Sequence, residues 1–277
     1  MSEKKTYHVG CQSWGYDDWV TPVAARHIFY PSGTKRDEML ALYSQVFSTI
    51  EVDSTLYGIP AESTFRGWYD ETPAGFIFSL KFPREITHDH QLRKPSVRVM
   101  KEFVERASVL GEKLGVMLIQ FPASFEASKE NARELRKFVA ELPDGFRFAM
   151  EFRNDDWFVE WTFEELETAG VSIALVEGKW VNREIMFEAA QKVTTDFRYI
   201  RVMGERDLER FDRIYRHRDD ILDRWTAELE GLKAREVFVY VDNYFEGFAP
   251  ATAAKIQQRL RLPVADPVKL ETQRSLF

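Results

Sequence analysis

Two carboxylates, Glu51 and Asp53, end the apolar run Ser48–Val52 and open the turn Ser54-Thr55-Leu56-Tyr57. Side chains alternate along a strand, so both acids share one face and Val52 takes the other. Neighbouring acids repel and lose hydration on burial, so packing gives little reason to keep them. Chemistry gives several: a general acid with its base, or oxygen ligands for a metal. The plainer reading is a pair of surface acids beside a turn. A second such pattern is Glu151 and Arg153, which follow the run Phe146–Met150 and again share parity. There Arg153 could clamp an anion bidentately while Glu151 acts as acid or base, or the two could simply pair. Lys81 closes a third run, Phe76–Leu80. An ammonium beside carboxylates can hold an anion, act as a base or form a Schiff base. As a structural partner of Glu51 or Glu151 it would do none of these.

Groups so far apart in the chain need a scaffold that gathers them. Besides those three runs, Tyr7–Cys11, Val116–Ile119, Ser172–Val176, Phe197–Val202 and Val237–Val241 are short and nearly continuously apolar, as strands buried on both faces require. Between them, helical spacing of apolar residues marks 37–47, 96–110, 128–142, 219–232 and 250–260, with weaker signals at 163–169 and 183–192. This rhythm predicts a single-domain α/β chain, a (β/α)₈ TIM-type barrel over residues 1–262 with an extended tail over 263–277. A doubly wound open sheet is the rival, but the first turn, Gly10-Cys11-Gln12-Ser13-Trp14-Gly15, lacks the GxGxxG spacing.

A barrel collects its chemistry at the C-terminal strand ends. Those ends carry Gln12 and Trp14; Glu51, Asp53 and Tyr57; Lys81, Arg84 and His88; Gln120; Glu151 and Arg153; Glu177; Arg201; and Asp242 with Asn243. The expected catalytic groups are Glu51, Asp53, Lys81 and Glu151. Gln12, Trp14, Tyr57, Arg84, Gln120, Arg153, Arg201 and Asn243 would bind substrate, with Lys81, Arg153 and Arg201 converging as cations on an anion. Five histidines make a multi-His zinc centre a poor expectation, and His88-Asp89-His90 reads as a surface loop. An oxygen-rich Mg²⁺ or Mn²⁺ site from Glu51, Asp53, Glu151 and Asp242 is the metal expectation. Loop aromatics such as Trp19, Tyr30, Trp157, Trp180 and Tyr244 could stack on a ring or pack a lid. The mixed run Arg206–Arg218 reads as a solvated helix face.

Composition limits the partners. The chain has 277 residues, enough for one barrel of roughly 250. It has one cysteine, Cys11, and a formal charge of −7. That excludes an internal disulfide, fits a reducing cytosol, and disfavours nucleic-acid binding by the whole surface. No apolar run approaches a membrane span, so a cytoplasmic chain without a membrane partner is expected. The tail ends Gln273-Arg274-Ser275-Leu276-Phe277. A polar anchor before two terminal apolar side chains suits docking into a groove. It resembles the Gln-x-x-Leu-Phe peptides by which bacterial replication and repair proteins bind the DNA sliding clamp.

The stretches Gly10–Trp14, Phe29–Pro31, Val52–Tyr57, Phe78–His88, Gln120–Phe125, Glu151–Arg153 with Trp157, Arg201–Gly204, Asp242-Asn243 and Gly247–Pro250 resemble the domain-of-unknown-function 72 (YecE-like) family over almost the entire chain. The resemblance implies a TIM-type barrel and supports the strand-end residues without supplying a reaction. This sequence departs from the family's usual pattern at Asp53 and Asp242, where Asn is common. It departs also at Asn154 and Met203, where His is common. A pocket so altered is more acidic and poorer in imidazole.

The leading functional expectation is therefore a metal-assisted or acid/base hydrolase acting on a phosphorylated sugar, a nucleotide or a nucleic-acid end. A lyase using Lys81 as Schiff-base nucleophile is the second. The third is a non-catalytic binding or scaffold protein in DNA maintenance, docked to the clamp through its tail.

Overall fold

Short runs of β-branched and aromatic residues, each followed by an amphipathic helix, can bury both faces of a strand only inside a layered α/β structure. In the computed structural model, which describes residues 5–268, eight such strands close into a ring. They are β1 (Thr6–Gln12), β2 (Thr49–Val52), β3 (Ile77–Lys81), β4 (Leu114–Gln120), β5 (Arg147–Glu151), β6 (Val171–Glu177), β7 (Phe197–Val202) and β8 (Glu236–Val241). Every neighbouring pair is parallel, and β1 pairs with β8 from Thr6↔Glu236 to Cys11↔Val241. The expected α/β single-domain (β/α)₈ barrel is the observed fold.

The helices that wrap the ring are α1 (Met39–Tyr43), α2 (Glu62–Glu71), α3 (Pro95–Ala107), α4 (Lys129–Val139), α5 (Glu160–Thr168), α6 (Arg183–Ala190), α7 (Asp219–Gly231), α8 (Asn243–Glu246) and α9 (Ala249–Arg259). The reasons for their bounds are local. Ser128 caps α4 by accepting from the Asn131 N–H, and α3 starts at Pro95, where no backbone donor is lost. Helix α2 went unpredicted because its apolar signal is thin: Phe65 is its one buried side chain, and Gly67 interrupts it. The run 206–218, expected as a helix face, lies in an irregular β7–α7 loop. It is held instead by Arg216–Asp207 and Arg210–Asp212 ion pairs and by the Phe211 N–H bound to Asp18. The predicted tail residues Gln273, Leu276 and Phe277 lie outside the described residues.

Two cores result. The outer one packs strand residues such as Val9, Ile50, Leu80 and Val239 against the helices. The inner one fills the ring with Val116, Leu118, Ala149, Ala174, Phe197, Tyr199, Phe238 and Tyr240. Above its apolar floor the inner core turns polar. The Tyr240 hydroxyl sits 2.7 Å from Thr49 Oγ1 and donates to Ser79 Oγ at 2.8 Å. Tight approach is needed where β1 meets β2: a Cβ on Gly10 would lie 2.2 Å from the Thr49 carbonyl oxygen. Because that neighbour is backbone, Gly10→Ala should lower stability by about 2 kcal/mol or more. A thermal-unfolding midpoint equal to that of the parent chain would refute this account of the β1–β2 seam.

Candidate active site

Strand parity decides which residues enter the mouth. On β2, Thr49 and Glu51 point inward; on β3, Ser79 and Lys81; on β5, Ala149 and Glu151; on β7, Tyr199 and Arg201. The centre of the mouth is Arg201, fully buried between two fully or nearly fully buried carboxylates. It donates from Nε and Nη2 to Glu51, both at 2.9 Å, and from Nη1 to Glu151 at 2.5 Å. The Tyr199 hydroxyl donates to Glu51 Oε2 at 2.6 Å, and Gln120 Oε1 lies 3.4 Å from Arg201 Nη1. Arg153 closes the network, donating from Nε to Glu151 Oε1 at 2.8 Å.

This arrangement fixes protonation. Burial alone would raise both carboxyls, but Arg201 with Lys81 outweighs it at Glu51, which falls below the usual carboxylate range. At Glu151, Arg201 and Arg153 outweigh burial and bring it down to about 2. Neither acid is suited to donate a proton, and both spend their oxygens on guanidinium groups. The expected catalytic roles of Glu51 and Glu151 therefore give way to positioning roles. Arg201, expected to bind substrate, is used up in the same network.

The metal expectation meets the same obstacle. The guanidinium of Arg201 occupies the space between Glu51 and Glu151, and among the described residues no cluster of three or more His, Cys, Asp or Glu is arranged to hold a metal ion. Other placements also differ from expectation. Glu177 faces the helical layer, accepting from Arg183 and from Trp225 Nε1, because its parity on β6 is outward. Asn243 accepts from Trp19 Nε1 and the Ala249 N–H, fastening the first loop to the last helix. Arg84 pairs with Asp89 on the surface of its loop, and Tyr57 is 75% exposed at the rim. Trp14 packs edge-on against Trp68.

What stays open to a ligand is a smaller set. Between the ends of β5, β6, β7 and β8 lies a cavity of about 240 Å³, lined by Glu151, Arg153, Val176, Gly178, Lys179, Trp180, Met203, Gly204, Arg206 and Asp242. A larger apolar groove of about 490 Å³, between Phe29, Phe47, Phe248 and Ala251 on the outer wall, lies away from these groups. In the mouth cavity, Nη1 and Nη2 of Arg153 make no hydrogen bond among the described residues, and its guanidinium lies 5.3 Å from the Trp180 ring. Lys179 and Arg206 have no carboxylate partner there either. Asp242, almost completely buried, accepts from the Tyr244 N–H; burial pushes its carboxyl up despite Lys81 and Arg201. The half-buried Asp53 makes no side-chain hydrogen bond among the described residues.

Sequence reasoning missed Lys179 and Arg206 as site residues; their signal was a glycine one and two residues earlier, after β6 and β7. It missed Tyr16 as well, whose hydroxyl burial and then Asp242 and Asp53 push upward. His88, read as surface loop, is half-buried on a π-turn (Glu85–Asp89), with Nδ1 2.8 Å from Thr87 Oγ1. Burial, then Arg84 and Arg153, lower it, so its ring stays neutral more readily.

Comparison with known proteins follows the geometry. Residues 8–275 match the family described as "Protein of unknown function DUF72". The UPF0759 protein YecE of Escherichia coli is 27% identical over 179 residues, 65% of this chain, and the chain spans 58% of that protein's length. YunF of Bacillus subtilis is 25% identical over 87% of this chain and 90% of its own. Among solved structures, a DUF72 family protein from Thermotoga maritima superposes with a TM-score of 0.74 at 27% identity, covering 92% of this chain and 99% of its own. One from Enterococcus faecalis gives 0.73 at 20% identity, which speaks to fold alone, over 94% and 100% of the two chains. Among the described residues no helix is long and apolar enough to cross a membrane.

Two predictions arise from the ion network. Arg201→Met leaves two buried carboxylates without their shared cation and should cost about 3–5 kcal/mol in urea unfolding at neutral pH. A loss below about 1 kcal/mol would show the pair to be dispensable. Protonation supplies the second. Both acids are more acidic folded than unfolded, so the unfolded chain binds more protons as pH falls below roughly 4.3. Their contribution is complete above that value and is lost as pH drops toward about 2, the folded value of Glu151. Glu151→Gln should flatten stability against pH across this window; an unchanged slope would remove Glu151 from the account.

Proposed function

We propose, from the premise that this chain belongs to the DUF72 family, that it is an enzyme which holds a small anionic substrate in the β5–β8 side of the barrel mouth and performs proton-transfer chemistry on it. One observation carries the reading. The guanidinium of Arg153 lines the cavity, anchored through Nε by Glu151, and its Nη groups make no hydrogen bond among the described residues. Such a fork matches two oxygens of a phosphate or carboxylate. Lys179 and Arg206 add positive charge to the rim of a chain whose formal charge is −7.

Asp242 supplies the proton chemistry. A carboxyl raised by burial keeps its proton to higher pH than an ordinary acid, as a donor to a leaving group needs. Asp53, at the end of β2 and without a hydrogen-bonded partner among the described residues, is the candidate base. These two take the hydrolytic roles first expected of Glu51 and Glu151. A cavity of about 240 Å³ suits a sugar phosphate better than a nucleic-acid end, and Trp180 beside Arg153 offers a face to its ring.

Titration with inorganic phosphate or pyrophosphate in a calorimeter tests this. Arg153→Gln should weaken binding by roughly 10- to 100-fold, the value of a charge-assisted bidentate contact, with circular dichroism unchanged. Equal affinity of the variant and the parent, or no anion binding by the parent, would overturn the proposal.

A further inference from the structure

Arg153 and Asp242 leave the β1–β3 side of the mouth unexplained, and two buried groups there are incompletely satisfied. Lys81 is 3% exposed, yet its ammonium makes no hydrogen bond among the described residues. Its single ionic contact is Glu51 Oε1 at 3.5 Å. Glu51 cannot come closer, because Arg201 and Tyr199 already claim its oxygens. Gln12, whose Cα is paired with that of Glu51, is 5% exposed and has an Oε1 with no hydrogen-bond partner. A fold that strands an amine and an amide oxygen on adjacent sides of one acid forgoes stability unless a ligand satisfies them.

The backbone at Lys81 is tied to the turn that follows β2. Thr55, fully buried in the turn after β2, donates from Oγ1 to the Lys81 carbonyl at 2.7 Å. That bond sets the direction in which the side chain leaves β3. A structural lysine in the same protein looks different: Lys113 donates from Nζ to the Tyr69 and Thr72 carbonyls at 2.6 and 2.7 Å and to Thr72 Oγ1 at 3.1 Å.

We propose that Lys81 is an amine nucleophile that condenses with an aldehyde or ketone carbon of the anionic substrate, so that the enzyme works on phosphorylated or carboxylated carbonyl compounds. This deepens the anion-site reading and rests on it. Burial, then Arg201, make the Lys81 ammonium easier to deprotonate. It gives a proton to solvent, and the amine attacks the carbonyl carbon, forming C–N while the C=O π pair moves to oxygen. That oxygen takes the Asp242 proton, and the nitrogen returns one proton to the carboxylate. The same carboxyl then protonates the hydroxyl, which leaves as water, and the product is a protonated imine. Gln12 Oε1 accepts from a neighbouring hydroxyl of the substrate.

Reductive trapping tests the proposal. The intact chain is incubated separately with glycolaldehyde phosphate, glyceraldehyde 3-phosphate and pyruvate in the presence of cyanoborohydride, then mapped by peptide mass spectrometry. Saturable mass addition at Lys81, at least 10-fold above exposed Lys101 and Lys137 and suppressed by inorganic phosphate, is the expected result. Lys81→Arg, which keeps the charge, should lose the adduct while its circular dichroism and phosphate affinity persist. Labelling spread evenly over surface lysines, or none at Lys81 with any probe, overturns the imine even if phosphate still binds through Arg153. Failure of phosphate to bind the parent chain removes the anion site as well, so the two failures are separable.

Discussion

One guanidinium, that of Arg201, joins two buried carboxylates across the inside of the barrel. Neither acid could stay ionised there alone, since desolvation of an isolated carboxylate costs far more than a fold of marginal stability can bear. Arg201 alone would be equally unfavourable. Together, with Tyr199 donating to Glu51 and Arg153 to Glu151, they form a set in which each carboxylate oxygen has a donor. Such a set is costly to break and contributes modestly when whole, so its value lies in geometry. It fixes the directions of Arg153 and Lys81, the two cations at its edge.

The edge differs from the centre in how charge is satisfied. Arg201 spends four of its contacts inside the network, whereas Arg153 spends only its Nε and Lys81 only one long ionic contact. Unused donors therefore lie at the boundary between a saturated interior and the open mouth. A preorganised boundary of this kind loses little on ligand capture, because the protein side chains are already held in place. The cost of ordering them is met by folding.

Much of this was legible in the chain. The run-and-helix rhythm specified the ring, and position at the C-terminal strand ends gathered Glu51, Lys81, Glu151 and Arg201 at one mouth. Where reading failed, the reasons are physical. Parity gives the face of a side chain but not its partner, so it could not show that Arg201 would sit between the two acids and disqualify them as a proton donor or a metal cage. Glu177 was misread because the strand continues to it with outward parity, where Trp225 and Arg183 receive it. Asn243, though at a strand end, begins α8 and turns to Trp19. Lys179 and Arg206 lie in loops, whose paths no periodicity encodes.

The positions at which this chain departs from the family's usual pattern bear on the same site. Asn154, where the resembled family commonly has His, accepts at its Oδ1 from the Asp156 N–H and caps a 3₁₀ turn. Met203 lines the cavity with a thioether that neither donates nor accepts strongly. Asp242, where Asn is common, adds a carboxyl at the cavity edge, and burial keeps its proton in place longer than usual. Of these positions Met203 and Asp242 line the cavity, whereas Asn154 does not. In the proposed chemistry the proton donor is Asp242, whose carboxyl burial pushes up. The fork of Arg153 proposed to hold the anion is tied to Glu151 within the same network.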